Sequence, residues 1–140
     1  MNYLVDTNTV SEWVKPRPDE GVIRWFAEID EDQVFLSVVT IAELRHGAER
    51  LSDGARRSRL EAWLEWELPG RFEGRIISIG PDIAERWGVL TAMGKKIGRT
   101  IPVMDAFLAA TAAIHGLELV TRNTADFERL GLPLINPWTS

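Results

Sequence analysis

The sequence predicts an α/β fold with a mostly parallel central sheet of about four or five strands. Short apolar runs alternate with longer amphipathic runs along the chain, which is the pattern typical of such folds. The chain has 140 residues, 45% of them hydrophobic, which is enough for one core and too little for two ordinary domains. It contains no internal repeat, low-complexity tract or linker, so we expect a single domain over residues 1–140.

Five short apolar runs are the strand candidates of this sheet. They lie at Tyr3–Val5 and at residues 34–36, 76–79, 119–120 and 134–135. The first helix is predicted over residues 7–13, directly after the first strand. Apolar residues then recur at helical spacing over residues 22–29 and again over residues 60–68. This last helix is predicted to stop at Pro69 and Gly70.

Two further helices have recognisable ends. Pro81 is suited to the first turn of a helix and precedes a run with apolar residues at helical spacing as far as Ile97. An Ala-rich helix is predicted over residues 103–114, because it is followed by a cation and a glycine, His115 and Gly116.

The composition restricts the chemistry that this chain can perform. With no Cys there is neither a disulfide nor a thiolate metal site, and two histidines alone do not form a zinc centre of the usual kind. A net charge of −5 argues against non-specific binding of nucleic acid by a basic surface, but it does not exclude a metal-dependent nuclease. The N-terminus has no features of a signal peptide and no run is long enough to span a membrane, so we expect a cytoplasmic protein without a membrane partner.

Four acidic residues are placed where chain segments turn at one edge of the predicted sheet. Asp6 directly follows the first strand and Asp126 comes shortly after the fourth, whereas Glu43 and Asp105 are predicted in the first turns of helices. Ligands of open α/β sheets gather at the carboxyl ends of the strands, so all four side chains are expected to face one site. Clustered carboxylates need a cation, and oxygen ligands favour Mg²⁺ or Mn²⁺.

Each acid also has an ordinary structural interpretation. Asp6 can cap a helix, Thr40 and Glu43 have the spacing of a capping box, and Asp105 can complement a helix dipole. Polar neighbours favour the metal site over capping alone, since caps do not require additional hydroxyl and amide groups at the same edge. These neighbours are Thr7, Asn8, Thr121 and Asn123.

Four segments in order resemble the PIN domain, specifically the VapC-type toxins of bacterial toxin–antitoxin operons, over the whole chain. The segments are YLVDTNTVSE, LSVVTIAELRHG, DAFLAATAAIHG and LVTRNTADF, and the SE after DTN and the closing NPW resemble the FitB-type branch. The resemblance implies a three-layer α/β/α sandwich and an endoribonuclease that depends on Mg²⁺ or Mn²⁺. Asp6 and Asp105 match the family's principal metal-binding acids and Glu43 its glutamate. The fourth acid falls at Asn123 in some relatives and at Asp126 in others, and Asp126 is the choice here.

The resemblance further implies a homodimer, an RNA substrate and a cognate VapB-type antitoxin, with assembly on operator DNA. It does not indicate which RNA is cleaved, or whether one or two ions bind. A catalytically silent PIN-like module that binds nucleic acid or protein is the alternative function. An aspartyl phosphatase is disfavoured because Asn8 stands where its second Asp belongs. A response-regulator receiver is disfavoured because the third strand carries no acid.

Overall fold

Five parallel strands form one sheet in the computed structural model, which describes residues 1–138. The strands are β1 (Tyr3–Val5), β2 (Val34–Ser37), β3 (Ile76–Ile77), β4 (Glu118–Val120) and β5 (Leu134–Ile135), in the order β3-β2-β1-β4-β5. The central strand β1 pairs in register with both neighbours, with Leu4 opposite Phe35 on one side and Leu119 on the other. The predicted α/β fold is therefore confirmed, and the sheet is entirely parallel.

Eight α-helical segments connect and cover the strands of the described chain. They are α1 (Thr7–Val10), α2 (Glu20–Glu28), α3 (Val38–Glu49), α4 (Ala55–Ala62), α5 (Leu68–Arg71), α6 (Pro81–Lys96), α7 (Val103–His115) and α8 (Thr124–Phe127). Short 3-10 turns follow α1 at Ser11–Val14 and α8 at Glu128–Leu130, and one precedes β2 at Glu31–Gln33. None of the helices within residues 1–138 is both long and apolar enough to cross a membrane.

The sheet separates two hydrophobic cores, because successive strand residues point to opposite faces. Leu4 and Leu119 belong to one core, which α6 and α7 cover, and Val5 and Val120 belong to the other. The second core is filled by α3 and the segment from α4 to α5, with Phe72 fully buried. Helices on both faces of a parallel sheet make the three-layer sandwich that the resemblance implied.

Two details of the predicted elements were wrong. The third strand ends at Ile77, so Ile79 lies outside it. The helix over residues 60–68 does not stop at Pro69 but continues to Arg71. A π-helical stretch at Trp63–Glu67 comes just before Pro69, and in it the Leu68 N–H bonds back to the Trp63 carbonyl. Proline is tolerated in the first turn of the helical segment that follows, where its missing N–H costs little.

The helix from Pro81 is confirmed at its start, and the Ala-rich helix is confirmed at its start and at the glycine that ends it. The Ala-rich helix α7 terminates at Gly116, whose φ of 64° is the left-handed conformation that glycine adopts freely. Ile97 lies just beyond the end of α6 and is 52% exposed, so it is not part of the buried stripe.

Candidate active site

Asp6 occupies the carboxyl end of the central strand. Its N–H donates to the Val120 carbonyl at 2.9 Å, so the sheet ladder fixes the backbone where the chain leaves β1. One carboxylate oxygen accepts the Thr7 N–H at 2.7 Å, which makes Asp6 the N-cap of α1 as expected. The other oxygen accepts the Thr121 hydroxyl, also at 2.7 Å. Only 5% of Asp6 is exposed, so both oxygens are held in fixed directions.

This position is where the order of the strands reverses. From β1 the chain moves outward through β2 and β3 on one side, and returns to β4 and β5 on the other. Such a switch point leaves a crevice between the two neighbouring strand ends. Asp6 follows β1 and Thr121 follows β4, and the hydrogen bond between their side chains spans this crevice.

Glu43 reaches the same edge from α3. The Thr7 hydroxyl donates to a Glu43 carboxylate oxygen at 2.7 Å, and it lies 3.2 Å from the Thr40 hydroxyl. The predicted capping box of Thr40 and Glu43 was wrong. The N-cap of α3 is Ser37, the last residue of β2, whose hydroxyl accepts the Val39 N–H at 3.0 Å. The helix therefore begins earlier than expected, and Glu43 lies in its second turn and not in its first.

Asp105 and Asp126 come from the first turns of α7 and α8. Asp105 is half-buried, whereas Asp126 is exposed. The helix N-terminus at Val103 favours negative charge at Asp105. The described chain therefore brings acids from four different segments to one edge.

Mutual repulsion and burial perturb two of these acids. Burial raises the pKa of Asp6, the hydrogen bonds from Thr121 and Thr7 oppose this rise, and the charges of Glu43 and Asp126 add to it. Burial, followed by the charges of Asp6, Asp126 and Glu43, raises the pKa of Asp105 to about 6. Among residues 1–138 no Lys, Arg or His forms an ion pair with any of the four acids. The edge is thus a concentration of negative charge without a cation from the protein.

The loop after β4 contributes Asn123 and holds the polar neighbours. The Asn123 N–H donates to the Thr121 hydroxyl oxygen at 3.0 Å, while the Asn123 side chain is exposed and makes no capping bond. The Asn8 side-chain oxygen accepts the Arg122 N–H at 3.4 Å, which links α1 to this loop. The charge of Asp126 acts on both Asp6 and Asp105, so Asp126 belongs to the same acidic edge.

The chemistry of the donors fits a hard divalent cation. All the available ligands are carboxylate, hydroxyl or amide oxygens, which are the ligands that Mg²⁺ and Mn²⁺ prefer. In the described part of the chain, no three acidic or histidine side chains form a ready-made cage. Magnesium sites rarely need one, because the ion keeps several waters and uses one or two carboxylates.

Two residues that support the site were not expected from the sequence. Thr40 was interpreted as a helix cap, yet its hydroxyl lies against that of Thr7. Thr9 is fully buried, and its hydroxyl donates to the Val120 carbonyl at 2.9 Å beside the Asp6 ladder bond. The helical spacing of Thr40 and Glu43 on one face of α3 is the signal that could have identified the first.

Comparison with known proteins gives consistent similarities over nearly the whole chain. The profile of the family described as PIN domain matches residues 3–132. VapC ribonuclease Y4jK of Sinorhizobium fredii is 37% identical over 135 residues, 96% of each protein. Toxin FitB of Neisseria gonorrhoeae is 35% identical, covering 96% of this chain and 97% of that protein. The structure of FitAB bound to an IR36 DNA fragment superposes with a TM-score of 0.91 at 32% identity, covering 99% of this chain and 96% of that chain.

Proposed function

Because the chain belongs to the PIN-domain family and is a VapC-family ribonuclease toxin of a toxin–antitoxin system, we propose that it hydrolyses RNA phosphodiester bonds at the acidic edge of its sheet. One observation carries the assignment to this edge. Four carboxylates from separate segments share it without a cation from any residue that the structure describes, and two of them have raised pKa values. Such an arrangement is costly to the fold unless a bound cation offsets the repulsion.

Asp6 and Asp105 are the principal ligands of a Mg²⁺ or Mn²⁺ ion in this proposal. Asp6 is the more rigid of the two, because Thr7 and Thr121 each hold one of its oxygens. Glu43 and Asp126 complete the site, through water or at a second ion. A bound divalent cation would supply an activated water and stabilise negative charge that develops on the phosphate.

The chain's own residues orient the reactants in this mechanism. The hydroxyl of Thr7 links two acids, since it donates to Glu43 while the N–H of the same residue donates to Asp6. These two bonds fix the distance between the carboxylates before RNA binds, which lowers the cost of assembling the site. No protein nucleophile is required, and the described chain has neither a Cys nor a histidine bonded to these acids.

The decisive experiment is cleavage of RNA by the purified chain in Mg²⁺, with EDTA and the variant Asp6→Asn as negative conditions. Asp82→Asn is the matched control, because Asp82 also accepts the N–H of the next residue at 2.8 Å but lies on α6 and is not among the charges that raise the pKa of Asp6 or Asp105. We expect cleavage by the wild type and by Asp82→Asn only. Cleavage that persists in EDTA, or in Asp6→Asn, would show that the acidic edge is not the active site. Absence of cleavage by the wild type would favour the silent binding module.

A cognate VapB-type antitoxin, a homodimer and assembly on operator DNA complete the proposed function. The solved FitAB complex with a DNA fragment supports the last of these for a similar chain. An exposed apolar stripe that runs from the C-terminal half of α6 to the residue just after it supports the dimer. It consists of Val89, Met93 and Ile97, which are 54%, 46% and 52% exposed and recur at every fourth residue. Light scattering should show a dimer for the wild type and a monomer for Met93→Glu.

A further inference from the structure

A cavity of about 370 Å³ opens beside the acidic edge, between α3 and the first turn of α7. It is lined by Ala42, Glu43, His46 and Met104. Its volume is within the range of roughly 300–1,000 Å³ that small-molecule sites occupy. Glu43 is the one lining residue with a part in the chemistry proposed above, whereas Ala42, His46 and Met104 have none.

The cavity is continuous with the catalytic edge through two residues. Glu43 belongs to both, since the Thr7 hydroxyl holds one of its oxygens while the side chain lines the cavity. Met104 directly precedes Asp105 in α7. A group in the cavity therefore lies next to any phosphate that is held at Asp6 and Asp105.

The lining determines which part of an RNA fits. A phosphate is disfavoured, because Glu43 is an anion and the cavity has no Lys or Arg. A flat, uncharged ring is favoured. Its faces can stack on the His46 imidazole, as unstacked RNA bases do on aromatic side chains, and can contact the polarisable thioether of Met104. Ala42 leaves room for such a ring because its side chain is small.

We propose that this cavity holds the base of a nucleotide next to the scissile phosphate, with His46 and Met104 as the residues that bind it. This proposal rests on the proposed ribonuclease function and adds a base-binding subsite to it. His46 acts here by stacking and not by proton transfer, since the described structure shows no hydrogen bond between its ring and an acid of the site. The occupant is an unpaired base, so the substrate must be single-stranded at the cleaved position.

The test is steady-state cleavage, in Mg²⁺, of one fixed single-stranded RNA chosen from those that the wild type cleaves in total RNA. His46→Ala should raise the KM about tenfold with the kcat within about twofold, because stacking of a base on an aromatic side chain is worth about that much by alanine substitution. Met104→Ala should raise the KM about threefold with the kcat equally unchanged, because a thioether contact with a ring is weaker. His46→Phe should keep the wild-type KM. His115→Ala, at the far end of α7, and Ile23→Ala, whose 40% exposure on α2 matches the 41% of Met104, are controls expected to behave as wild type.

An abasic substitution identifies the bound base. Removing the base at the correct position next to the cleavage site should raise the wild-type KM and leave the KM of His46→Ala unchanged. Wild-type KM values for both alanine variants would overturn the proposal. It would also be overturned if both variants bound an antitoxin more weakly while their KM for RNA stayed at the wild-type value. A lower kcat in His46→Phe would also overturn it, since the imidazole would then have a chemical role. In each case the wild type still cleaves, which distinguishes these results from failure of the proposed function.

Discussion

Asp6 caps the start of α1 and Glu12 lies in the 3-10 turn that follows this helix, and both are almost completely buried, at 5% and 3% exposed. Glu12 has a cation from the protein, because Lys15 forms an ion pair with one oxygen, and the other accepts the Asp19 N–H at 2.8 Å. Within residues 1–138, Asp6 has hydrogen bonds but no cation, and it lies near three further acids. A buried carboxylate that the protein neutralises supports the fold, whereas one left to an external cation indicates a site.

The largest expected effect is on catalysis. Asp6→Asn keeps the shape of the side chain. Its amide oxygen can still accept the Thr7 N–H, and its NH2 can donate to the Thr121 hydroxyl oxygen in place of accepting from it, but the charge that a cation needs is removed. We expect cleavage to fall by more than about 100-fold, since even the outer partners of metal ligands typically cost about 10–100-fold. Single-turnover cleavage measures this, and circular dichroism checks that the fold is intact. Glu12→Gln replaces a buried carboxylate by an amide in the same way and should keep most of the cleavage activity. Equal losses of activity in Asp6→Asn and Glu12→Gln would contradict the assignment of Asp6 to the site and of Glu12 to the fold.

The reverse pattern is expected for stability. Glu12→Ala removes the ion pair with Lys15 and leaves the Asp19 N–H without this acceptor, so unfolding should become easier by about 2–3 kcal/mol. Glu12→Gln retains an oxygen for that N–H and should lose only about 1 kcal/mol. Urea unfolding in EDTA measures both variants. If Glu12→Ala is as stable as the wild type, the contacts of Glu12 do not support the fold.

Neutralising a site acid should instead stabilise the chain when no metal is present. The pKa of Asp105 is raised to about 6, so its charge at neutral pH opposes folding. Asp105→Asn should therefore be more stable than the wild type by about 1–2 kcal/mol in EDTA at pH 8, after allowance for its partial exposure. Thermal melting with and without Mg²⁺ tests this, and added Mg²⁺ should stabilise only the wild type. If Asp105→Asn were less stable than the wild type in EDTA, repulsion between Asp105 and the other acids of this edge would be contradicted.

The smallest expected effect is a dependence of the wild type's stability on pH. It has the same origin as the stabilisation of Asp105→Asn, since both follow from the unfavourable charge of Asp105. Between its ordinary pKa of 3.8 and the folded value of about 6, Asp105 binds more protons in the folded state than in the unfolded state. The stability that comes from this greater proton binding is fully present at the low end of this window, and it is lost as the pH rises through about 6. The metal-free wild type should thus lose about 1 kcal/mol between pH 5 and pH 8 relative to Asp105→Asn. If the unfolding free energies of the wild type and of Asp105→Asn changed with pH in parallel, this expectation would be contradicted.

Local sequence signals predicted the parts of the fold that depend on local physics. Alternation of apolar runs identified the strands, and the ends of α6 and α7 followed from Pro81 and Gly116. The predicted helix stop at Pro69 was wrong, because the preceding π-helical stretch changes which N–H groups need partners. The side chains of Trp63 and Leu64 in that stretch pack against core residues distant in sequence, and a local pattern does not encode those contacts.

Prediction of the site was also limited to what local sequence patterns show. The acids were predicted because each follows a strand or begins a helix, and this placement depends only on the order of elements along the chain. Thr40 was assigned to a cap, because the sequence does not show that Ser37 ends β2 and caps the helix itself. The cavity at His46 and Met104 was also missed. It forms between two helices that are distant in sequence, so its residues share no local pattern.

Both edges of the sheet are strands of only two residues, β3 and β5. At one edge the Arg75 guanidinium donates to the carbonyls of Glu31, Val34 and Arg71, which occupies acceptors beside the outer strand pair. An extended peptide that adds to a sheet needs a row of free backbone groups, and neither edge offers a long one. Edge-to-edge aggregation is disfavoured for the same reason. Protein partners of this chain must therefore bind through helical faces and loops, and not by adding a strand.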